Sequence, residues 1–208
     1  MIRVLIADDH AILREGLRRI LADEPSIKLV GEAADGFEAA RMARELKPDI
    51  VVLDLSMPGR GGIDALSDIR QGSPESKILI LSMHPEDQYA IRCLREGADG
   101  YLTKESAPEL LTKAILKIRC GGKYISGALA EKLVYNLSNN DQTLHDQLSD
   151  RELQVLTMIG NGQTVSEIAD QLFVSVKTVS TYRARLLEKM GMENNAQLMR
   201  YAVEHGLD

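Results

Sequence analysis

A chain of 208 residues with 44% hydrophobic and 27% charged side chains has room for one or two folded domains, and its composition excludes wholesale disorder. The net charge of -6 argues against coating nucleic acid through bulk positive charge, but leaves room for a local basic element. No apolar run approaches the ~18 residues of a membrane span, and residues 1–7 run straight into an apolar strand pattern rather than a signal peptide, so a cytoplasmic protein is expected.

From residue 2 to about 102, short apolar runs alternate with segments of helical period, the pattern of a parallel sheet wrapped by helices. The strand candidates are 3–7 (RVLIA), 27–31 (IKLVG), 50–53 (IVVL), 78–81 (ILIL) and 100–102 (GYL). Unbroken Val, Ile and Leu suit strands covered on both faces. Between them, Leu13, Leu17, Ile20 and Leu21 make one apolar helical stripe, and similar stripes run through about 36–46, 63–70, 87–95 and 107–119. The pattern predicts a (βα)5 doubly wound α/β domain over 1–121. Residues 122–147 lose this periodicity apart from a short helix expected at about 128–136, and read as a linker. From 148 to 208 only helix starts occur: Ser149 with Glu152 and Thr164 with Glu167 at capping-box spacing, Ser175 before a third helix and Asn195 before a fourth. A small all-α domain of four helices is expected there. Cys93 and Cys120 lie in amphipathic stretches without metal-ligand spacing, which favours small buried hydrophobes over a disulfide or zinc site.

In an open parallel sheet, functional groups gather at the carboxyl ends of the strands. Asp8 and Asp9 follow the first strand, Asp54 the third, Ser82 the fourth and Thr103-Lys104 the fifth. Carboxylates within ~5 Å of one another repel by ~3 kcal/mol per ionised pair at an effective dielectric of ~20, so the cluster calls for a cation. Mg2+ fits, being a hard ion that takes carboxylates, backbone carbonyls and water. Lys104 and the Ser82 hydroxyl can then hold a further anion, and the inferred ligand is a phosphoryl group. The bland alternative is that such aspartates merely cap helices.

The run Asp8-Asp9, Asp54-Leu-Ser-Met-Pro58 with Gly62 behind it, Ser82 and Tyr101-Leu-Thr-Lys104 resembles the receiver domain of two-component response regulators, and the whole length resembles the NarL/FixJ subfamily. That resemblance implies Asp54 as acceptor of a phosphoryl group from a histidine of a sensor kinase. It implies Mg2+ on Asp9, Asp54 and the backbone carbonyl of Ser56, with Asp8 assisting directly or through water, and Ser82 and Lys104 on phosphoryl oxygens. Tyr101 would couple the site to the surface of the fourth helix, fifth strand and fifth helix; its plainer reading is a half-buried sheet aromatic. Ser56 and His84, each two residues beyond a site residue, would border the attacking-water path and set phosphoryl lifetime. His10, His145 and His205 are isolated and read as surface or capping residues.

In the second domain six basic residues face eight acidic ones, yet four of the six lie on the helix expected at about 176–190. Two helices joined by a tight turn at Phe173-Val174 make a helix-turn-helix. At 100° per residue, Val176, Val179, Tyr182, Leu186, Leu187 and Met190 share the buried side, and Lys177, Ser180, Thr181, Ala184, Arg185 and Glu188 the open one. Arg183 falls toward the apolar side, so an ion pair with Glu152 is expected, with a phosphate contact as the alternative. The segment from Leu148 to Gly191 resembles the LuxR-type DNA-binding domain. Carried over, Ser180, Thr181 and Ala184 are base-facing, and Lys177, Thr178, Arg185 and Lys189 are backbone candidates. The chain departs from members that place lysines at two base-facing positions. The plainer reading of this helix is the core of a protein-binding bundle.

The resulting expectation is a regulator without catalytic turnover of its own beyond self-phosphorylation and autodephosphorylation, binding double-stranded promoter DNA as a homodimer under control of a sensor histidine kinase. Contact with RNA polymerase fits such a regulator, although no motif marks it. The alternative is a phosphorylation-independent DNA-binding regulator controlled by a partner protein. An aspartyl phosphatase would carry a second acid where Ser56 stands, and a nucleotide switch would need a G-x-x-x-x-G-K-[ST] run that the chain lacks.

Overall fold

The computed structural model describes residues 1–57, 62–83, 86–127, 129–131 and 144–207, with 86–88, 146 and 150 described by backbone alone. These residues fall into two compact units, Met1–Asn139 and Asn140–Asp208.

In the first unit, strands β1 (Ile2–Ala7), β2 (Ile27–Ala33), β3 (Ile50–Asp54), β4 (Lys77–Ser82) and β5 (Gly100–Thr103) form one parallel sheet in the order β2-β1-β3-β4-β5. Helices α1 (Ala11–Ala22), α2 (Gly36–Leu46), α3 (Gly62–Gly72), α4 (Glu86–Arg95) and α5 (Ala107–Arg119) alternate with them. Strands β1, β3, β4 and β5 alternate between two covered faces, whereas the edge strand β2 is covered mainly at its ends. Val4, Ile6, Ile50, Val52, Leu79, Leu81 and Leu102 meet Leu17 and Leu21 of α1 and Leu111, Ile115 and Ile118 of α5 in one core. Leu5, Val51, Leu53, Ile78, Ile80 and Tyr101 have the opposite parity and are also fully buried, so they serve the other side.

This topology positions the site. The chain leaves β1 toward β2 on one side and returns to β3 on the other, so the strand order reverses between β1 and β3, where ligands of such sheets bind. Register does the rest: Ala7 pairs with Leu53, Asp54 with Leu81 and Ser82 with Thr103, which brings Asp8, Asp54, Ser82 and Lys104 to one rim. Gly62 begins α3 directly against the β3 end. A Cβ there would stand 2.4 Å from Leu55 Cα and 2.7 Å from Leu55 O, a clash with backbone that no side-chain rotation relieves. Gly62→Ala is therefore expected to lower receiver stability by about 3 kcal/mol, measured by urea unfolding; an unchanged midpoint would contradict the tight approach.

The segment read as linker from residue 122 begins by joining the sheet. Tyr124 forms a parallel bridge with Gly100, accepting from Tyr101 N–H at 2.9 Å and donating to Asp99 O at 3.0 Å. Residues 127 and 129–131 are helical, and the rest of the helix expected at 128–136 lies outside the described residues.

The second unit starts with a 3-10 turn at Leu144–Gln147 and continues as α6 (Asp150–Gly160), α7 (Val165–Gln171), α8 (Val176–Met190) and α9 (Asn195–Glu204). Both capping boxes form, at Ser149/Glu152 and Thr164/Glu167, and Ser175 caps α8 by accepting from Thr178 N–H. The fourth cap is Asn194 rather than Asn195: Asn194 accepts from Gln197 N–H at 3.1 Å. Gly191 at φ 64° ends α8 in the left-handed conformation that favours glycine. Leu148, Leu153, Val155, Leu156, Ile168, Val179, Leu186 and Leu198 are buried. Among the described residues, no helix is long and apolar enough to cross a membrane.

Candidate functional site

At the first rim, Asp8 and Asp54 have side chains at 0% exposure. Lys104 Nζ lies 2.8 Å from Asp54 Oδ2 and 2.8 Å from Asp8 Oδ2, one ammonium bridging two buried carboxylates. Burial pushes the Asp54 carboxyl above its ordinary pKa, an effect that Lys104 and the Ser56 N–H only partly oppose. Burial also disfavours the Lys104 ammonium, but the charges and hydrogen bonds of Asp54 and Asp8 outweigh it and raise its pKa. Asp54 Oδ1 accepts from Ser56 N–H at 2.9 Å, and Lys104 N–H donates to Ser82 O at 2.7 Å, joining the β4 and β5 ends. Ser82 is fully buried beside them.

Tyr101 is also fully buried, with its ring inside the fold rather than half-exposed at the sheet edge. His84 lies outside the described residues. Asp9 is partly exposed, yet its Oδ1 is buried without a hydrogen bond. One ligand atom from each of Asp8, Asp9, His10 and Asp54 falls within 4.8 Å of the others. A divalent cation fits this donor set, since three carboxylates meet there and the Lys104 ammonium reaches only two of them. His10 was expected as an isolated surface or capping residue. It is exposed and stands at the N-cap position of α1, although its side chain makes no cap hydrogen bond; it is not isolated, because its Nδ1 lies 2.9 Å from Asp9 Oδ1, and adjacency to Asp9 was the only sequence signal.

In the second unit, α7 and α8 are joined through 172–175. Phe173 turns the corner at φ 53° and is 96% exposed, a left-handed conformation that costs a β-carbon-bearing residue ~1–2 kcal/mol. Phe173→Asn is expected to raise the domain's melting temperature by ~4–8 °C, equivalent to ~1 kcal/mol. An unchanged or lower value in a thermal melt would show that the aromatic ring stabilises the domain.

Lys177, Ser180, Thr181, Ala184 and Arg185 are exposed on α8, and Thr178 is half-buried beneath its cap. Ser180 Oγ donates to Val176 O at 2.8 Å and Thr181 Oγ1 to Lys177 O at 3.0 Å, so both hydroxyls face outward as acceptors. Val176, expected on the buried side, is 49% exposed; it opens the helix beyond the reach of the core.

The expected Glu152 and Arg183 pair is not the one formed. Glu152 takes Lys189, with Nζ 2.6 Å from Oε2, while Arg183 donates Nε–H to Asn195 Oδ1. Lys189, a DNA-backbone candidate by sequence, thus holds the end of α8 to the start of α6. The reason is position along the helix: Lys189 lies in the last turn of α8, level with the α6 cap, whereas Arg183 is level with the first turn of α9. Burial opposes ionisation of Glu152, but Lys189 and the Ser149 N–H and hydroxyl outweigh it and hold the carboxyl below its ordinary range. His145 and His205 are not isolated either. His145 Nδ1 lies 2.9 Å from the Tyr201 hydroxyl, and the His205 ring stacks on Tyr201 at 3.9 Å.

These two assemblies coincide with two known families. The family model for the response regulator receiver domain matches residues 4–116, and that for bacterial regulatory proteins of the luxR family matches residues 146–202. The chain is a two-component response regulator with a LuxR-type DNA-binding domain. The regulator is 39% identical over 209 residues to response regulator GacA of Pseudomonas aeruginosa, spanning 100% of this chain and 98% of that one. It is 39% identical over 209 residues to response regulator UvrY of Escherichia coli, spanning 100% of this chain and 96% of that one. Among solved structures it resembles RcsB from Salmonella enterica serovar Typhimurium, bound to promoter rprA in the presence of phosphomimetic BeF3-, with TM-score 0.62 and 29% identity over 96% of this chain and 97% of that one. These relatives place the regulator in the NarL/FixJ group.

Proposed function

We propose that Asp54 accepts a phosphoryl group from a sensor histidine kinase and that this modification controls dimerisation and sequence-specific binding to promoter DNA. The observation that carries the reading is the Lys104 ammonium 2.8 Å from both Asp54 and Asp8 at the strand rim. Phosphoryl transfer needs positioning and charge neutralisation more than covalent help from the protein. Asp54 is the nucleophile: its carboxylate forms a P–O bond as the P–N bond of the donor phosphohistidine breaks. Lys104 and Ser82 bind phosphoryl oxygens. Asp9, Asp54 and the Ser56 carbonyl, with Asp8 assisting, would hold Mg2+, which would supply charge neutralisation for the phosphoryl group. Movement of Ser82 toward the phosphoryl group alters the packing beside Tyr101, and Ser56 and His84 set the lifetime of the modification.

An open groove of about 730 Å³ lined by His10, Ile12, Leu13, Gly16, Met83, Lys104 and Glu105 supports delivery by a protein. Ile12 and Met83 are exposed there beside the charged rim, where a kinase helix could bring its histidine. On DNA, Ser180, Thr181 and Ala184 approach base edges, and Lys177, Thr178 and Arg185 contact phosphates, with Lys189 reaching the backbone only on release from Glu152. One module reads a short half-site, so a homodimer supplies useful affinity. We assign the receiver to 1–121, the linker to 122–147 and the DNA-binding domain to 148–208. RNA polymerase is a further partner, and the cytoplasm is the compartment in which promoter DNA is reached.

The test is selection from a genomic DNA-fragment library by wild type and Asp54→Asn, each with and without Mg2+ and a small acyl-phosphate donor, following mass and dimerisation together. Wild type is expected to gain one phosphoryl group, dimerise and enrich a recurrent motif, while Asp54→Asn does none of these. Equal motif selection by both proteins would overturn phosphorylation as the switch and favour control by a partner protein.

A further inference from the structure

The acidic rim contains an imidazole that the phosphoryl-transfer reading does not use. His10 N–H donates to Asp8 Oδ1 at 2.8 Å, which holds the residue over the cluster. Its Nδ1 then stands 2.9 Å from Asp9 Oδ1 and 3.3 Å from Asp8 Oδ1. The closer approach is an ion-pair distance to an oxygen that is itself buried. The distance also matches the spacing of two neighbouring ligands on one ion: with metal–ligand bonds of ~2.1 Å, adjacent corners of an octahedron are ~3.0 Å apart. Asp54 completes the set, with one donor atom from each of the four residues within 4.8 Å of the others. The ring is 63% exposed, so Nε2–H can stay in water while Nδ1 binds metal.

We propose that His10 is a metal ligand through Nδ1, and that it makes this site prefer a divalent first-row transition ion to Mg2+. The inference rests on the reading that the acidic cluster holds a divalent cation. Its basis is ligand chemistry: Mg2+ takes oxygen donors, whereas ions from Mn2+ to Zn2+ also accept imidazole nitrogen. Three carboxylates with a single histidine give a mixed oxygen and nitrogen set that a site built for Mg2+ alone does not need. Mn2+ is the stringent probe, because it is the weakest binder of that series.

The test is pulsed electron paramagnetic resonance of Mn2+ bound to the full-length wild type, with calorimetric titration of Mn2+ and of Mg2+ into wild type, His10→Asn and His84→Asn. Wild type is expected to show nitrogen modulation from a directly bound imidazole, retained in His84→Asn and lost in His10→Asn. The Mn2+ affinity of His10→Asn is expected to fall at least ~10-fold, with Mg2+ affinity unchanged. Absence of nitrogen modulation in wild type, a result that needs no variant, overturns the assignment, as does its persistence in His10→Asn. If both ions bind and His10→Asn alters neither affinity, only the histidine's role falls. If neither ion binds, the cation reading of the cluster falls with it.

Discussion

Replacing Lys104 with Met in the metal-free regulator is expected to lower receiver stability by about 3–5 kcal/mol at pH 7, because it removes one partner from a buried ion cluster. Asp8 and Asp54 would then face one another at 0% exposure without the ammonium that now lies 2.8 Å from each. The pH dependence has a definite sign. Burial already raises the Asp54 pKa, with Lys104 as the main opposing charge, and its loss raises that pKa further. A carboxyl that binds its proton more tightly folded than unfolded destabilises the fold at neutral pH and does so less as pH falls through its folded pKa. The deficit of Lys104→Met is therefore expected to shrink between pH 7 and pH 5, and also on adding Mg2+, in urea unfolding of the full chain. The same variant is expected to accept phosphoryl groups at least ~100-fold more slowly, as when a preorganised charge-stabilising donor is removed. A loss of stability equal at both pH values would mean that Lys104 acts through packing alone.

Asp99→Ala is expected to cost about 3–5 kcal/mol of receiver stability by the same rule for broken buried pairs, at the opposite end of the sheet. Asp99 Oδ2 accepts from the Ile78 N–H at 3.0 Å and from Arg70, which also donates to Gly97 O. Its Oδ1 lies 3.3 Å from Lys123 Nζ. Truncation leaves a buried strand N–H without its acceptor and the Arg70 guanidinium without its counter-charge, and loosens the segment that carries Tyr124 onto β5. Burial opposes ionisation of Asp99, but the Ile78 N–H, Arg70 and Lys123 outweigh it and hold the carboxyl below its ordinary range. A depressed carboxyl contributes its full stability above the unfolded pKa of ~3.9 and loses it as pH falls toward the folded value. Asp99→Asn keeps an acceptor for Ile78, so it is expected to lose less than Asp99→Ala and to flatten the acid limb of stability below about pH 4. An unaltered acid limb would place the charge-dependent stability elsewhere.

The carboxylate rim was legible before any coordinates because each of its members directly follows an apolar run, and a parallel sheet brings the ends of such runs together. All of the strand candidates form, one or two residues longer than the apolar core suggests, because backbone pairing continues through polar residues such as Asp54, Ser82 and Thr103. The capping boxes at Ser149 and Thr164 were equally legible, being contacts within a few residues.

What sequence by itself determined was the order of elements, the face most strand and helix residues take and most local contacts, since these follow from periodicities of two and 3.6 residues and from chain neighbours. Tertiary structure alone decided partner choice over longer separations. The helical wheel pointed to Arg183 as the partner of Glu152, and only the height at which α6 crosses α8 selects Lys189 instead. The same holds for Tyr124 closing on Gly100, for the Leu55 backbone that leaves room only for Gly62, and for His10 turning its ring over Asp9. Periodicity resolves a direction to about 100° per residue, whereas these contacts depend on distances near 1 Å, which exist only once the elements have packed.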